Sequence, residues 1–185
     1  MESKEIEVRF LEIDKDELVK KLKALGAEDL GETVLQEIIF YDPELKMLND
    51  RQFVRLRTSR EKTKLTYKHH KERSVDGAIE IEFEVSDPKQ AEAFLEKLGI
   101  VAYRHQEKKR HTLTLDGVTA DIDTWPGIPT YVELEGPSEE ALKNLAAKIG
   151  FDWKDAVFDD ARAVIEERYH VPVGKMRWFT FEKQE

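Results

Sequence analysis

Ionic and apolar residues alternate without a break from Glu5 to Phe10, as Glu-Ile-Glu-Val-Arg-Phe. Successive side chains of a strand point to opposite faces, so the pattern predicts a strand with one charged and one apolar face. Asp14 then offers a helix N-cap, Leu18, Val19, Leu22 and Leu25 recur at helical spacing, and Gly26 supplies the stop. Three more strands are expected at about 33–41, 52–59 and 63–70. The plan then repeats. Glu80 to Val85 alternate in the same way, Asp87 and Pro88 open a helix whose apolar face carries Phe94, Leu95 and Leu98, and Gly99 ends it. Strands are expected again at about 101–115, 118–124 and 130–135. Glu-Ile-Glu followed by Leu-Gly stands at 5–7 and 25–26 and again at 80–82 and 98–99, so the chain reads as one βαβββ unit used twice.

Two such units supply eight largely antiparallel strands, a number that closes into a barrel with room inside for side chains or one small ligand. The expected fold is therefore α+β, a closed eight-stranded antiparallel β-barrel or tunnel with helices packed outside. Further helices are expected at 138–149, capped by Ser138, and at 159–169. Residues 1–172 read as one domain, and 173–185, with Trp178, Phe179 and Phe181, as a C-terminal tail that either docks or trails.

Composition sharpens this picture in one respect. Charged residues make up 37% of the 185 and apolar ones 40%, so the question becomes where so many charges are placed. Thirty Lys and Arg against 39 Asp and Glu leave a net charge of −9, which argues against nucleic acid or an anionic membrane as a partner. Without cysteine there is neither a disulfide nor a thiolate metal site. Met1 to Phe10 lacks the apolar run of a signal peptide and no stretch is long enough to span a bilayer, so the expected location is cytoplasmic.

An ordinary sheet turns its polar face to water. Here that face is ionic in strand after strand: Glu5, Glu7 and Arg9; Arg55 and Arg57; Lys64 and Lys68; Glu80, Glu82 and Glu84; Lys108 and Arg110; Asp121 and Asp123; Glu133 and Glu135. Like charges at i and i+2 gain nothing from one another, and the amphipathic helices need the apolar strand faces as partners. The ionic face is therefore expected to line the interior. Arg55, Arg57 and Lys68 would form a wall suited to phosphate, and Asp121, Asp123, Glu133 and Glu135 one suited to a hard cation, Mg²⁺ or Mn²⁺.

These residues, in this order over about 3–170, resemble the CYTH superfamily, the triphosphate tunnel metalloenzymes that include class IV adenylate cyclases and thiamine triphosphatases. Glu5-Ile6-Glu7-Val8-Arg9 stands at its N-terminal Glu-x-Glu-x-Lys signature; Val54-Arg55-Leu56-Arg57 and Leu65-Thr66-Tyr67-Lys68 match its phosphate-binding strands. Glu80 with Glu82, Lys108 with Arg110, Asp121-Ile122-Asp123 and Val132-Glu133-Leu134-Glu135-Gly136 follow. The resemblance implies that Arg55, Arg57, Lys68, Lys108 and Arg110 grip phosphates. It also implies that Glu5, Glu7, Glu133 and Glu135 hold metal, with Glu80, Glu82, Asp121 and Asp123 as further acidic ligands, and that Glu5, Glu7 and Arg9 are the catalytic group. Arg9 departs from the signature lysine: it can bind phosphate but stays protonated, which weakens any role in activating a nucleophile.

The leading expectation is a metal-dependent triphosphatase acting on inorganic tripolyphosphate, thiamine triphosphate or a nucleoside triphosphate. The alternatives are a class IV adenylate cyclase, yielding cyclic AMP and pyrophosphate from ATP, and a polyphosphate-binding module without turnover. The partner is a small triphosphate, and a homodimer stays open. His69, His70, His105, His111 and His170 lack zinc spacing, and the adjacent pair is expected to be solvated. Trp125-Pro126-Gly127-Ile128-Pro129 reads as a turn that could rim the tunnel. Facing carboxylates predict an alkaline optimum and strong metal dependence. Alanine at Glu133 or Glu135 should abolish metal-stimulated phosphate release, and near-normal release would reject the assignment.

Overall fold

The computed structural model describes residues 3–59 and 62–185. Met1 and Glu2, part of the segment read above for a leader, lie outside them. Strands β1 (Ser3–Glu5), β2 (Glu7–Phe10), β3 (Glu28–Tyr41), β4 (Gln52–Thr58), β5 (Thr63–His70), β6 (Ala78–Val85), β7 (Val101–Leu115), β8 (Val118–Thr124) and β9 (Tyr131–Glu135) form one curled antiparallel sheet in the order β1-β6-β5-β4-β3-β7-β8-β9-β2. With β1 and β2 taken as two pieces of one N-terminal strand, these are eight strands in two βαβββ units. The units are exchanged: the first strand of each pairs with the last strand of the other, β2 with β9 and β6 with β5, while β3 pairs with β7.

The N-terminal strand is interrupted at Ile6, which the alternation alone does not disclose. There it changes partner, β1 lying on β6 and β2 on β9. The Glu7 N–H donates to Val75 O (2.9 Å), and Ile6 O accepts from the Gly136 N–H (3.1 Å). The two ends of the strand order are thus neighbours in sequence. Between β7 and β8 the register is fixed by a two-residue turn, Asp116-Gly117, both at positive φ, which sets Leu115 opposite Val118.

Helices α1 (Lys15–Ala24), α3 (Pro88–Lys97) and α4 (Glu139–Ile149) lie outside the sheet, capped by Asp14, Asp87 and Ser138 as their sequences predict. Val8, Phe10, Ile122, Val132 and Leu134 on the outer sheet face meet Leu18 and Leu22 of α1 and Leu142, Leu145 and Ile149 of α4. A smaller cluster joins Phe40 and Leu56 to Leu95 of α3. The expected apolar face of α3 is only partly used: Phe94 and Leu98 are each 62% exposed. The sheet is covered here by one helix, whereas α1 and α4 share the other half.

A short helix α2 (Lys46–Asn49), unforeseen in the sequence, bridges β3 and β4. Beyond α4, a helical turn α5 (Ala161–Ala163) runs into a wider coil to Arg168, and β10 (Trp178–Phe179) pairs in parallel with β7. Pairing between β7 and β8 begins only at Lys109, so β10 takes up the edge of β7 left bare beyond it. The C-terminal segment therefore docks: Phe179 is fully buried and stacks near Trp125. No helix among the described residues is long and apolar enough to cross a membrane.

Replacing the fully buried Leu142 with alanine should cost roughly 2–5 kcal/mol of unfolding free energy. Phe94→Gln should stay within about 0.5 kcal/mol. Urea denaturation followed by circular dichroism checks both, and a large loss at Phe94 would contradict its exposure.

Candidate active site

Because the apolar strand faces are taken by helices, the alternate residues of each strand point into the curl. They line a cavity of about 330 Å³ whose wall includes Glu5, Arg9, Arg55, Arg57, Lys68, Glu80, Glu82, Lys108, Arg110, Asp121, Glu133 and Glu135. Glu7 and Asp123 lie buried beside it. The register brings the charges together: Arg55 lies opposite Thr66 and Ile39, Arg57 opposite Lys64 and Glu37, Lys68 opposite Glu80, and Arg9 opposite Glu133.

The cationic wall is compensated unevenly. Arg57 donates from Nε to Glu37 (2.6 Å), and Lys64 pairs with Glu82. Arg110 reaches Asp123 with Nε and Nη2 (both 2.7 Å) and Asp121 with Nη1, while Lys108 Nζ lies 2.6 Å from Asp123. Asp121 and Asp123, expected among the metal ligands, are thus engaged as counter-ions of these two cations. Arg55 differs from its neighbours. Largely covered in the wall, with 12% of its side chain exposed, it makes no hydrogen bond among the described residues; its nearest carboxylates, Glu37 and Glu82, are both 3.9 Å away, and its Nε has no partner. Burial and the adjacent Arg57 push its guanidinium below the usual range. Lys108 is pushed down to about 8 by burial and by Arg110.

The carboxylates on β1, β2 and β9 fall into two groups. Burial would raise Glu7 and Glu133, but Arg9 holds both below the ordinary range, helped by Lys68 at Glu7 and by Arg110 at Glu133. Glu5 is raised to about 8 by burial and by its neighbours Glu7 and Glu80, against the pull of Lys68, one ammonium shared among three carboxylates. Glu135, exposed at the rim, is raised to about 7 by the desolvation of its inner side and by Glu5, Glu133 and Glu7. Among the described residues no three acidic or histidine side chains already form a metal-ligand group. The donor chemistry nevertheless fits a hard cation beside Glu5 and Glu135, where carboxyls crowd together and the single Lys68 ammonium is shared among Glu5, Glu7 and Glu80.

Several wall residues escaped the sequence reading. Glu37 sits on β3 between Leu35 and Ile39, a lone acid in a mostly apolar inward row, yet it takes Arg57, Arg55 and the Gln106 amide (2.6 Å). The signal for it was that same isolation, one acid at period two within an apolar strand. Arg104 and Gln106 form a pair on β7 (2.7 Å). At one end of the cavity, the segment after α4 contributes Asp160, Arg162, Ile165 and Val173. It is fastened by Arg51 to Asp160 (3.1 Å), Arg9 Nη1 to Asp159 O (2.7 Å) and Arg104 Nη1 to Val173 O (2.9 Å). No periodicity joins these residues to the sheet, so nothing in the sequence placed them. Trp125 lines the cavity, its Nε1–H donating to Tyr131 (2.8 Å), with Lys108 over its ring. The expectation for the histidine pair is corrected at His70, which is buried beside Lys68 and stacks on Phe53. The last residue of β5 still points inward, which keeps it from solvent.

The CYTH domain profile matches residues 3–155. Among solved structures, the chain is similar to a proposed adenylate cyclase of Vibrio parahaemolyticus (TM-score 0.75, 14% identity, 89% of this chain and 98% of that one). It is similar also to a protein of Pyrococcus horikoshii OT3 (TM-score 0.71, 23% identity, 84% of this chain and 96% of that one). A third is a proposed adenylyl cyclase of Hippeastrum described as revealing a dominant triphosphatase activity (TM-score 0.64, 17% identity, 89% of this chain and 96% of that one). At these identities the likeness is one of fold. No curated protein matches the chain.

His70 supplies a pH test. Burial and Lys68 push it down to about 4 from an ordinary 6.5. Between these values the unfolded chain binds the extra proton, so the contribution is fully present above about pH 6.5 and is lost as pH falls toward 4, by up to roughly 3 kcal/mol. The melting temperature should fall across that window, and His70→Gln should flatten the fall. An unchanged slope in the variant would contradict the burial of a neutral imidazole.

Proposed function

The chain belongs to the CYTH domain family, and from that premise we propose that it hydrolyses a triphosphate, with a divalent metal ion, inside a closed tunnel. Arg55 carries the reading. A buried guanidinium costs several kcal/mol unless it is paired, and its fork matches phosphate oxygens. Here it stands without a hydrogen bond beside Arg57, Lys64 and Lys68, among cations that already have partners. An anionic group between Arg55 and Arg57 supplies what the wall lacks. Closure is supported by the N-terminal strand, whose two pieces pair with the opposite ends of the sheet.

Arg55, Arg57 and Lys68 would hold the phosphates in line and meet the charge that develops on the leaving oxygen. Lys108, held at about 8, is the lysine of the wall that gives up its proton nearest neutrality, and Arg110 holds Asp121 and Asp123 in place behind it. A metal, Mg²⁺ or Mn²⁺, would be held by carboxylates of the set Glu5, Glu7, Glu133 and Glu135. When bound, it supplies charge neutralisation and Lewis acidity toward the phosphate oxygens. Glu80 and Glu82 serve Lys68 and Lys64 as counter-ions rather than the metal.

Tripolyphosphate, thiamine triphosphate and ATP, each incubated with Mg²⁺ and with Mn²⁺, test the reading. Orthophosphate should be released from at least one, and Arg55→Ala should lower kcat/KM roughly 100-fold. Cyclic AMP with pyrophosphate from ATP would replace hydrolysis by cyclisation. Tight binding with no product under either metal would leave a binding module instead.

A further inference from the structure

We infer that Arg9 is a built-in cation filling the Glu7–Glu133 half of the carboxylate cluster, which leaves the chain one divalent-metal position, at Glu5 and Glu135. The inference rests on the metal-dependent reading above and narrows it. Arg9 Nη2 donates to Glu7 Oε1 (3.2 Å) and to Glu133 Oε2. The remaining oxygens of both carboxylates face cations as well: Lys68 lies 3.5 Å from Glu7 Oε2, and Arg110 lies 3.4 Å from Glu133 Oε1. Both oxygens of Glu7 and of Glu133 are therefore already bridged by protein charge.

Arg9 is also pinned so that it cannot swing aside. Its side chain is 4% exposed, its Nη1 donates to Asp159 O (2.7 Å), and its backbone exchanges two hydrogen bonds of 2.9 Å with Val157. An ion arriving between Glu7 and Glu133 would meet a fixed guanidinium of like charge. The planar fork lets one nitrogen, Nη2, bridge the two carboxylates while the other, Nη1, holds the Asp159 carbonyl, an arrangement that a compact lysine ammonium does not reproduce. The two carboxylates outside this arrangement are those that line the cavity with least compensation. Glu135 makes no hydrogen bond or ion pair among the described residues, and Glu5 shares its one cation, Lys68, with Glu7 and Glu80, besides a hydrogen bond with the Glu80 carboxyl.

Titration with Mn²⁺ alone, followed by calorimetry and by the loss of the free-ion paramagnetic resonance signal, reads the stoichiometry without any turnover. The folded wild-type chain should bind one ion. Glu5→Gln should weaken the dissociation constant at least tenfold, whereas Glu7→Gln should change it less than threefold. Arg9→Gln, if its circular dichroism is native, should bind two. Two ions in the wild type, an equal loss in the two glutamate variants, or one ion in folded Arg9→Gln would overturn the inference while leaving metal dependence intact. No Mn²⁺ binding by the wild type would instead remove the metal from the functional reading itself, and this inference with it.

Discussion

The structure depends on mutual compensation of charges that its own sheet takes out of water. Isolated ions in such a place are prohibitively costly, and their mutual attraction repays the cost only where pairing is close. Ten lysines and arginines and eight aspartates and glutamates line the cavity, with Glu7 and Asp123 buried beside them. The interior is thus near balance, and the net charge of −9 is carried elsewhere on the chain. Removing one member strands its partner, so the wall behaves as a network rather than as a set of separate binding groups. Least compensated are Arg55 on one side and, on the other, Glu135, which makes no ion pair among the described residues, and the proposed ligand, bearing both signs, would meet complementary charge there.

Much of this was legible because alternation is a direct record of strand geometry. Glu5, Glu7 and Arg9, Arg55 and Arg57, and Glu133 and Glu135 declared their shared face by spacing two, and the helices declared their partners by their stripes. The same logic fails where a strand's inward row is not ionic, as around Glu37, or where inward charges begin only partway along a strand, as at Arg104 on β7. Nor does it say which charges pair with one another. Asp121 and Asp123 have the spacing of a cation site, but the register sets Arg110 directly opposite Asp123, and a neighbouring guanidinium takes them first. Phe94 and Leu98 show the converse limit: a helical stripe states what could be buried, and only the number of covering helices decides what is.

The segment after α4 shows what pattern reading cannot reach. The CYTH profile ends at residue 155, yet Asp160, Arg162, Ile165 and Val173 complete one end of the cavity. Ile165 and Val173 pack with Trp125, Tyr131 and Phe179, and the polar ties are an ion pair from Arg51 to Asp160 and hydrogen bonds from Arg9 and Arg104 to carbonyls, none of which leaves a periodic trace. Arg9 belongs to both worlds. It occupies a position in an alternating strand, and its guanidinium ties that strand to a part of the chain about 150 residues away.

The exchange of first strands between the two βαβββ units bears on how the chain comes to be folded. During synthesis the N-terminal segment emerges first, but its partners β6 and β9 both belong to the second unit, and β9 emerges only after residue 131. Neither half can satisfy its own edges, so an emerging first unit exposes unpaired backbone along its flanks until the second arrives. Pairings of such long sequence separation carry a heavy loop-closure entropy and tend to slow folding. The locking of Glu7 and Arg9 against Glu135 and Glu133 is accordingly a late event on the ribosome, and the ionic interior comes into being only when the polypeptide's beginning meets its far side.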